Sequence, residues 1–244
     1  MKPQKLLTYC LIFASFVSLI ISCKKNDVNQ KKPACKIITI NENSGSSSSV
    51  YKITYNNDGK ISTLNEGTST SVFTYSGSTI IKNGTNNGSF SERDSITVDN
   101  NGRPLNVRQY YDQAGTTWYN NSFEYNGNGE LLKSYQTSNA SSIPETTLYT
   151  ITGGNLVGIQ TSSDNLTLEY FSDKPSQPGD YLEVISLISY GVSLYPHKNL
   201  LKSVNSGGSI TNFNYETNAD GLVTKFTATS GSSIETLAYQ YQCN

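Results

Sequence analysis

Tyr55-Asn56-Asn57-Asp58-Gly59-Lys60 is the stretch that decides the fold. Tyr51, Ile53 and Tyr55 lead into it at alternate positions, and Ile61 opens a second strand-like run behind it. Residues two apart share one face of a strand, so this spacing marks a half-buried strand. The Asx-rich segment then reads as a three-residue hairpin loop. A type I turn ends in a left-handed residue, and Gly takes that conformation without steric cost. The unit returns as Val98-Asp99-Asn100-Asn101-Gly102-Arg103 and as Tyr125-Asn126-Gly127-Asn128-Gly129-Glu130. Glu216-Thr217-Asn218-Ala219-Asp220-Gly221 is a looser copy, two residues longer after Tyr215. Asp112-Gln113-Ala114-Gly115-Thr116 has the same form with Gly115 left-handed, and Gly153-Gly154 suits a tighter hairpin.

The flanking runs alternate in the same way: Tyr119, Phe123 and Tyr125, then Leu166, Leu168 and Tyr170, then Leu237, Tyr239 and Tyr241. The copies recur irregularly, which excludes a strict solenoid. A meander of about a dozen or more antiparallel strands must curl or close. The expected fold is therefore all-β: an antiparallel meander of repeated hairpins forming a strongly curved sheet or partly rolled barrel over residues 35–244. One segment departs from it. Asp180-Tyr181-Leu182-Glu183 has capping-box spacing, Tyr181, Val184, Ile185 and Ile188 follow at helical intervals, and Gly191 can end the run. One short helix is expected near 181–190, covering an opening of the sheet.

Ahead of the strands, Lys2 and Lys5 flank the apolar run Leu6 to Ile21, and Leu19-Ile20-Ile21-Ser22-Cys23 reads as a lipobox. The apolar run is about 16 residues, short of the roughly 20 a spanning helix needs. Basic flank, apolar centre and small residue mark a secretory signal. Residues 1–22 are expected to be removed and Cys23 to be acylated, with 23–34 a flexible tether. The expected location is the outer membrane, lipid-anchored, on its periplasmic or outer side. Cys10 leaves with the signal, so Cys35 and Cys243 remain as a candidate disulfide for an oxidising compartment. Closing a loop that spans nearly the whole domain contributes about 5 kcal/mol at most on the chain-entropy model.

The chain is slightly acidic, with 18 Lys and Arg against 19 Asp and Glu, which argues against nucleic acid as a partner. His197 is the single histidine, so histidine-based metal sites, Ser-His-Asp triads and Cys-His pairs lack parts, and it reads as a loop residue. The Asx-rich turns fail as calcium loops. The bidentate Glu needed at the twelfth position is Thr227 in one copy and Arg108 in another. Glu124 and Glu169, candidates for a carboxylate pair, fall between core-facing residues and should project outward. The sharpest local candidate is an exposed cross-strand pair. The loop at 112–116 sets Tyr110 opposite Trp118, on the face away from Leu105, Val107 and Tyr111, with Arg108 opposite Asn120. Such a pair can stack on a sugar or anchor a protein; it can equally serve only to stabilise its hairpin.

With these residues on the page, the chain resembles uncharacterised envelope lipoproteins common in Bacteroidota, distantly similar to YD-repeat (Rhs-type) proteins. The resemblance rests on the Tyr-x-x-x-Gly hairpins, Asp173-Lys174-Pro175 before the helix, Lys198-Asn199-Leu200-Leu201-Lys202-Ser203 after it, and the terminal Tyr239-Gln240-Tyr241-Gln242-Cys243. It implies an all-β lipoprotein of unassigned activity and transfers no catalytic residue. The function expected is a monomeric, cofactor-free, non-enzymatic module, held to the membrane by Cys23 and binding a glycan or envelope protein through Tyr110, Trp118 and Arg108. The alternatives are a carboxylate-dependent hydrolase of envelope or dietary polysaccharide and a structural spacer.

Overall fold

The computed structural model describes residues 35–195 and 197–243; the signal, Cys23 and the tether lie outside the described residues. The strands begin with β1 (Cys35–Ser44), β2 (Ser47–Tyr55), β3 (Ile61–Glu66), β4 (Ser69–Ser76), β5 (Thr79–Asn86) and β6 (Ser89–Val98). They continue with β7 (Pro104–Tyr110), β8 (Trp118–Tyr125), β9 (Leu131–Ser138), β10 (Ser141–Thr152), β11 (Asn155–Gln160) and β12 (Asn165–Pro175). Helix α1 (Tyr181–Tyr190) follows, then β13 (Asn199–Ser206), β14 (Ser209–Thr217), β15 (Val223–Ser230) and β16 (Ser233–Cys243). Each strand pairs with its sequence neighbours, and β1 pairs antiparallel with β16. The sheet is thus a closed barrel, not the curved or partly rolled sheet expected from sequence. Cys35 stands opposite Cys243 at the seam, and a disulfide joins them.

The hairpin loops share one hydrogen-bond plan. Asn56, Asp99, Asn126 and Asn218 each accept on a side-chain oxygen from the backbone N–H four residues on, at 2.9, 2.9, 2.9 and 3.0 Å. Asp112 accepts from Thr116 in the same way at 3.0 Å. The left-handed Gly follows at Gly59, Gly102, Gly129, Gly221 and Gly115. The copy that looks looser in sequence is therefore the same loop, with Asn218 in the place of Asn56.

Closure has a cause that recurs around the wall. On every odd-numbered strand except β5, the register against the preceding even strand (β16 for β1) skips one residue near the end that carries Cys35. The skipped residues are Ile38, Ser62, Leu105, Leu132, Val157, Lys202 and Thr224. A bulge bends its strand and raises the local twist, and repeated bulges roll a flat sheet into a barrel. They also correct one expected face: Leu105 is the bulged residue and is exposed, whereas Val107 is buried.

Tyrosines lock these bulges. The hydroxyls of Tyr55, Tyr75, Tyr125, Tyr170 and Tyr241 donate to the carbonyls of Ile37, Ile61, Pro104, Leu156 and Val223 at 2.6–2.9 Å. Each acceptor is the residue just before a bulge on the neighbouring odd strand. A buried hydroxyl is thereby satisfied, and a carbonyl displaced from the ladder gains a donor.

A barrel of sixteen strands is too wide for wall side chains alone to fill, and porins of that size leave an aqueous channel. Here the insert between β12 and β13 enters the lumen. Tyr181 stacks on Phe213 and Phe226, with ring centroids 4.9 and 5.2 Å away, while Gly191 at the other end of α1 lies against Phe73. The helix therefore sits between two walls inside the barrel and fills one half of its lumen, where the expectation was a helix covering an opening of the sheet. Asp180 caps it, accepting from Leu182 N–H at 3.0 Å, and Gly191 ends it in the left-handed conformation. A side chain on Gly191 would meet both that backbone strain and the Phe73 ring.

Candidate functional site

The apolar core fills the half of the barrel that holds Cys35, Cys243 and α1; the other end is polar and open. Inward registers there carry Glu235, Glu42, Tyr51, Glu66, Ser69 and Ser71, then Lys82, Glu92, Asp94, Gln109, Tyr111 and Tyr119. Tyr111 and Tyr119 point into the lumen yet are 47% and 40% exposed, so water reaches the mouth. Their rings meet edge to face at 5.8 Å. A cavity of about 230 Å³ lies along the β2–β6 wall of the same end, lined by Tyr51, Leu64, Glu66, Lys82, Glu92 and, from the helix, Ile188.

The mouth is strongly charged. Lys82, the one buried lysine or arginine among the described residues, lies 2.6 Å from Glu92 and 3.5 Å from the fully buried Asp94. Burial pushes Asp94 up to about 6; the Lys82 charge opposes the rise and Glu92 adds to it. Tyr51 donates to Glu42 at 2.9 Å. Burial first, and then the Glu42 charge, raise the pKa of Glu235. Gly84 is required here, because a Cβ on it would collide with Glu92 and Ser91.

The plugged end holds a second constellation. Asp180 is fully buried; besides Leu182 N–H it accepts from Leu201 N–H at 3.2 Å and the Tyr215 hydroxyl at 3.5 Å. Among the bulged strands flanked by such tyrosines, β13 differs in that Asp180 stands between it and Tyr215. His197 Nε2 lies 3.1 Å from Asp180 Oδ1, an ionic contact without the alignment of a good hydrogen bond. His197 Nδ1 donates to the Tyr195 carbonyl at 2.9 Å. A carbonyl only accepts, and Nε2 faces a carboxylate, so these partners call for a proton on both nitrogens. Burial alone would lower the His197 pKa, but the close contact with the Asp180 carboxylate and its charge outweigh it and the net shift is upward. A histidine held in this way is a buried cation tying the insert together, not a free base. Glu183 beside it is pushed up to about 7 by burial, with the His197 charge opposing. Glu183, His197, Tyr195, Ser176, Ser193 and Lys198 line an open cavity of about 460 Å³.

The residues singled out from sequence fall elsewhere. Tyr110 pairs with Trp118 and Arg108 with Asn120 on the outer face. Arg108 lies over the Trp118 ring at 4.0 Å and Arg93 over Tyr110 at 4.6 Å, so guanidinium groups occupy ring faces that a sugar would stack on. Glu124 and Glu169 both point outward, on β8 and β12. Four strand spacings separate them, roughly 19 Å along the wall, far beyond the reach of a carboxylate pair. Glu169 is instead bound to Lys202 at 3.2 Å. Sequence reading missed the mouth and the Asp180–His197 contact. The capping box was a signal for Asp180, but nothing local ties it to His197.

The barrel is similar to a porin-like protein from Bacteroides uniformis ATCC 8492. The TM-score is 0.65 with 14% identity, covering 84% of this chain and 96% of that one, which shows a shared fold. A porin-like protein from Bacteroides vulgatus ATCC 8482 also matches, at TM-score 0.44 and 14% identity over 84% of this chain and 98% of that one. No family model and no curated protein matches the chain.

Proposed function

We propose that this chain is a lipid-anchored barrel of the bacterial cell envelope, facing water, that binds a ligand in its open mouth without transforming it. One observation carries the binding role: Tyr111 and Tyr119 occupy inward registers of the charged, open end and remain exposed there, their rings in contact with each other. Aromatic rings held open to water at the rim of a closed wall are a docking surface with low conformational cost. The envelope setting is supported by the lipobox at Leu19–Cys23 and by the porin-like description of the structural neighbours.

The outer wall argues against a spanning pore. Lipid-facing positions of membrane barrels form an apolar band about 25 Å tall. Here the outward registers of β2 to β6 are mainly polar: Lys52, Thr54, Thr63, Asn65, Thr70, Thr74, Asn83, Arg93 and Ser95, with Val50, Val72 and Ile81 as scattered apolar positions rather than a continuous band. Such a wall belongs in water, and the anchor supplies the membrane contact. Cys35 and Cys243 lie at the plugged end, so any tether before residue 35 joins there and the mouth opens at the opposite end.

Two measurements test this. Cys23→Ser should move the protein from the membrane pellet to the soluble fraction; retention in the pellet contradicts the anchor. In the mature chain, adding envelope-derived oligosaccharides, peptides and amines as separate pools should perturb the Tyr111 and Tyr119 ring resonances. Rings that respond to no pool exclude the mouth as a binding site.

A further inference from the structure

Lys82, Glu92 and Asp94 form a group that a binding role for the mouth leaves unexplained. Lys82 on β5 stands directly opposite Asp94 on β6, and Glu92 takes the next inward position of β6 toward the open end. The Lys82 side chain is 9% exposed and that of Asp94 has no exposure at all. One inward position deeper, Ile80 and Ile96 belong to the apolar core. Tyr111 and, from the helix, Tyr190 lie near enough to feel the Asp94 charge. A basic side chain is thus enclosed with two acids where water scarcely reaches.

The two acids are not equivalent partners of the lysine. Glu92 holds the Lys82 ammonium at 2.6 Å, as a structural ion pair should. Asp94 Oδ2 stays at 3.5 Å, and both Asp94 oxygens are buried without a well-formed hydrogen bond. A buried charge left in that state is costly, and protonation removes the cost. Burial accordingly pushes Asp94 up to about 6, with the Lys82 charge opposing. A buried carboxylic acid is an electrophile, and a lysine that can hand its proton to a neighbouring carboxylate is a nucleophile. Gln109, opposite Asp94 on β7, carries an amide N–H that can hold the carbonyl oxygen as charge develops on it. With Nζ already 3.5 Å from Oδ2, a small movement of the flexible lysine stem brings it to Asp94 Cγ.

We propose that Lys82 and Asp94 join through a side-chain amide (isopeptide) bond, with Glu92 as the catalytic acid–base residue. The bond is independent of any ligand in the mouth. Lys82 Nζ attacks Asp94 Cγ, and a C–N bond forms as the C–OH bond breaks. Of the three ammonium protons, one passes to Glu92, one leaves with the Asp94 hydroxyl as water, and one stays on the amide nitrogen. Glu92, whose side chain is 28% exposed, then releases its proton to the water of the mouth. One water is lost, and no oxidant or cofactor enters. Two buried charges disappear, and β5 becomes covalently tied to β6. The 3.5 Å pair is the state before bond formation; afterwards Asp94 no longer titrates.

The test is the intact mass of the mature chain carrying Cys23→Ser, followed by tryptic mapping. The chain should be lighter than its sequence by one water. Lys82→Arg keeps the positive charge, removes the nucleophile and should show the full mass. Trypsin cuts after Arg93 but not after an acylated lysine. The fragment ending at Arg93 should therefore run through Lys82 uncut and stay joined to the fragment that begins at Asp94. Glu92→Gln should melt cooperatively and keep the full mass; if it fails to fold, Glu92→Asp, which draws the carboxyl back from Nζ, gives the same readout. A chain of full mass, with trypsin cutting after Lys82, overturns the proposal. So does a missing water that persists in Lys82→Arg or maps to Asp58-Gly59 or Asp220-Gly221, where succinimide formation expels water. A folded Glu92 variant that still loses the water overturns the part given to Glu92.

Discussion

At the scale of single residues, three groups, one fully and two partly buried, make the stability of this barrel depend on pH in an uncommon direction. Asp94 is raised to about 6, Glu183 to about 7, and His197 is raised from its ordinary value. Each binds protons more tightly in the folded state than in the unfolded one. Stability therefore falls as pH rises wherever one of them is half-titrated. For the carboxyls the loss begins near the ordinary carboxylate range and is complete above about 6 and about 7. For His197 the stabilisation is full below its unfolded pKa and is lost as pH rises through its folded one. The expected outcome is a urea midpoint that declines steadily from mildly acid to mildly alkaline buffer. Where Lys82 and Asp94 are unbonded, Asp94→Asn should remove the portion lost between about pH 4 and the Asp94 value of about 6, and leave the upper portion in place. A midpoint that rises across this range contradicts the assignment. None of the three groups was legible as special in the sequence. Their shifts come from burial and from charged partners, Lys82 for Asp94 and Asp180 for His197, which lie more than ten residues away in the chain and are brought together by the fold.

At the scale of elements, the hairpins were legible and the bulges were not. The loops announce themselves because a left-handed residue demands Gly and the turn demands an Asx oxygen, as at Asn126 and Gly129. The opposition of Tyr110 and Trp118 follows from one such loop by counting. Ile38, Ser62, Leu105, Leu132, Val157, Lys202 and Thr224 share no side-chain chemistry; Ser62, Leu105, Leu132, Val157 and Thr224 do fall three residues after the left-handed Gly59, Gly102, Gly129, Gly154 and Gly221, a spacing that reads as a bulge only once the register is known. What they share is a position, one residue past a carbonyl that in most cases a tyrosine on the next strand holds. Missing them leaves a curved sheet where the molecule has a barrel. It also hides the mouth, since the inward register of Glu66 can be counted only past Ser62. The loop chemistry makes a direct prediction. Asn126 accepts on Oδ1 from Asn128 N–H and Glu130 N–H at 3.0 and 2.9 Å and donates from Nδ2 to the Glu130 carboxylate at 2.8 Å. Asn126→Ala should cost about 1–2 kcal/mol by denaturant unfolding. A change within error would show that the Gly alone sets the turn.

At the scale of the whole molecule, three features depend on one another. Repeated bulges close the wall, closure at sixteen strands leaves a lumen too wide for side chains, and the β12–β13 insert fills one half of it. The unfilled half is the mouth. The central claim is that β1 and β16 pair as fully as any interior pair and do so in water, with the Cys35–Cys243 bond as a clasp rather than the cause. Amide hydrogen exchange on the mature chain tests this most directly, with Cys23→Ser and with Cys35 and Cys243 both changed to Ala, in detergent-free buffer. Backbone amides of Ile40 and Tyr239 at the seam should be protected to the same degree as those of Ile96 and Val107 in the opposite wall. Seam amides that exchange like free edges, beside a protected β6–β7 pair, would show an open sheet held shut only by its disulfide and would contradict the closed barrel.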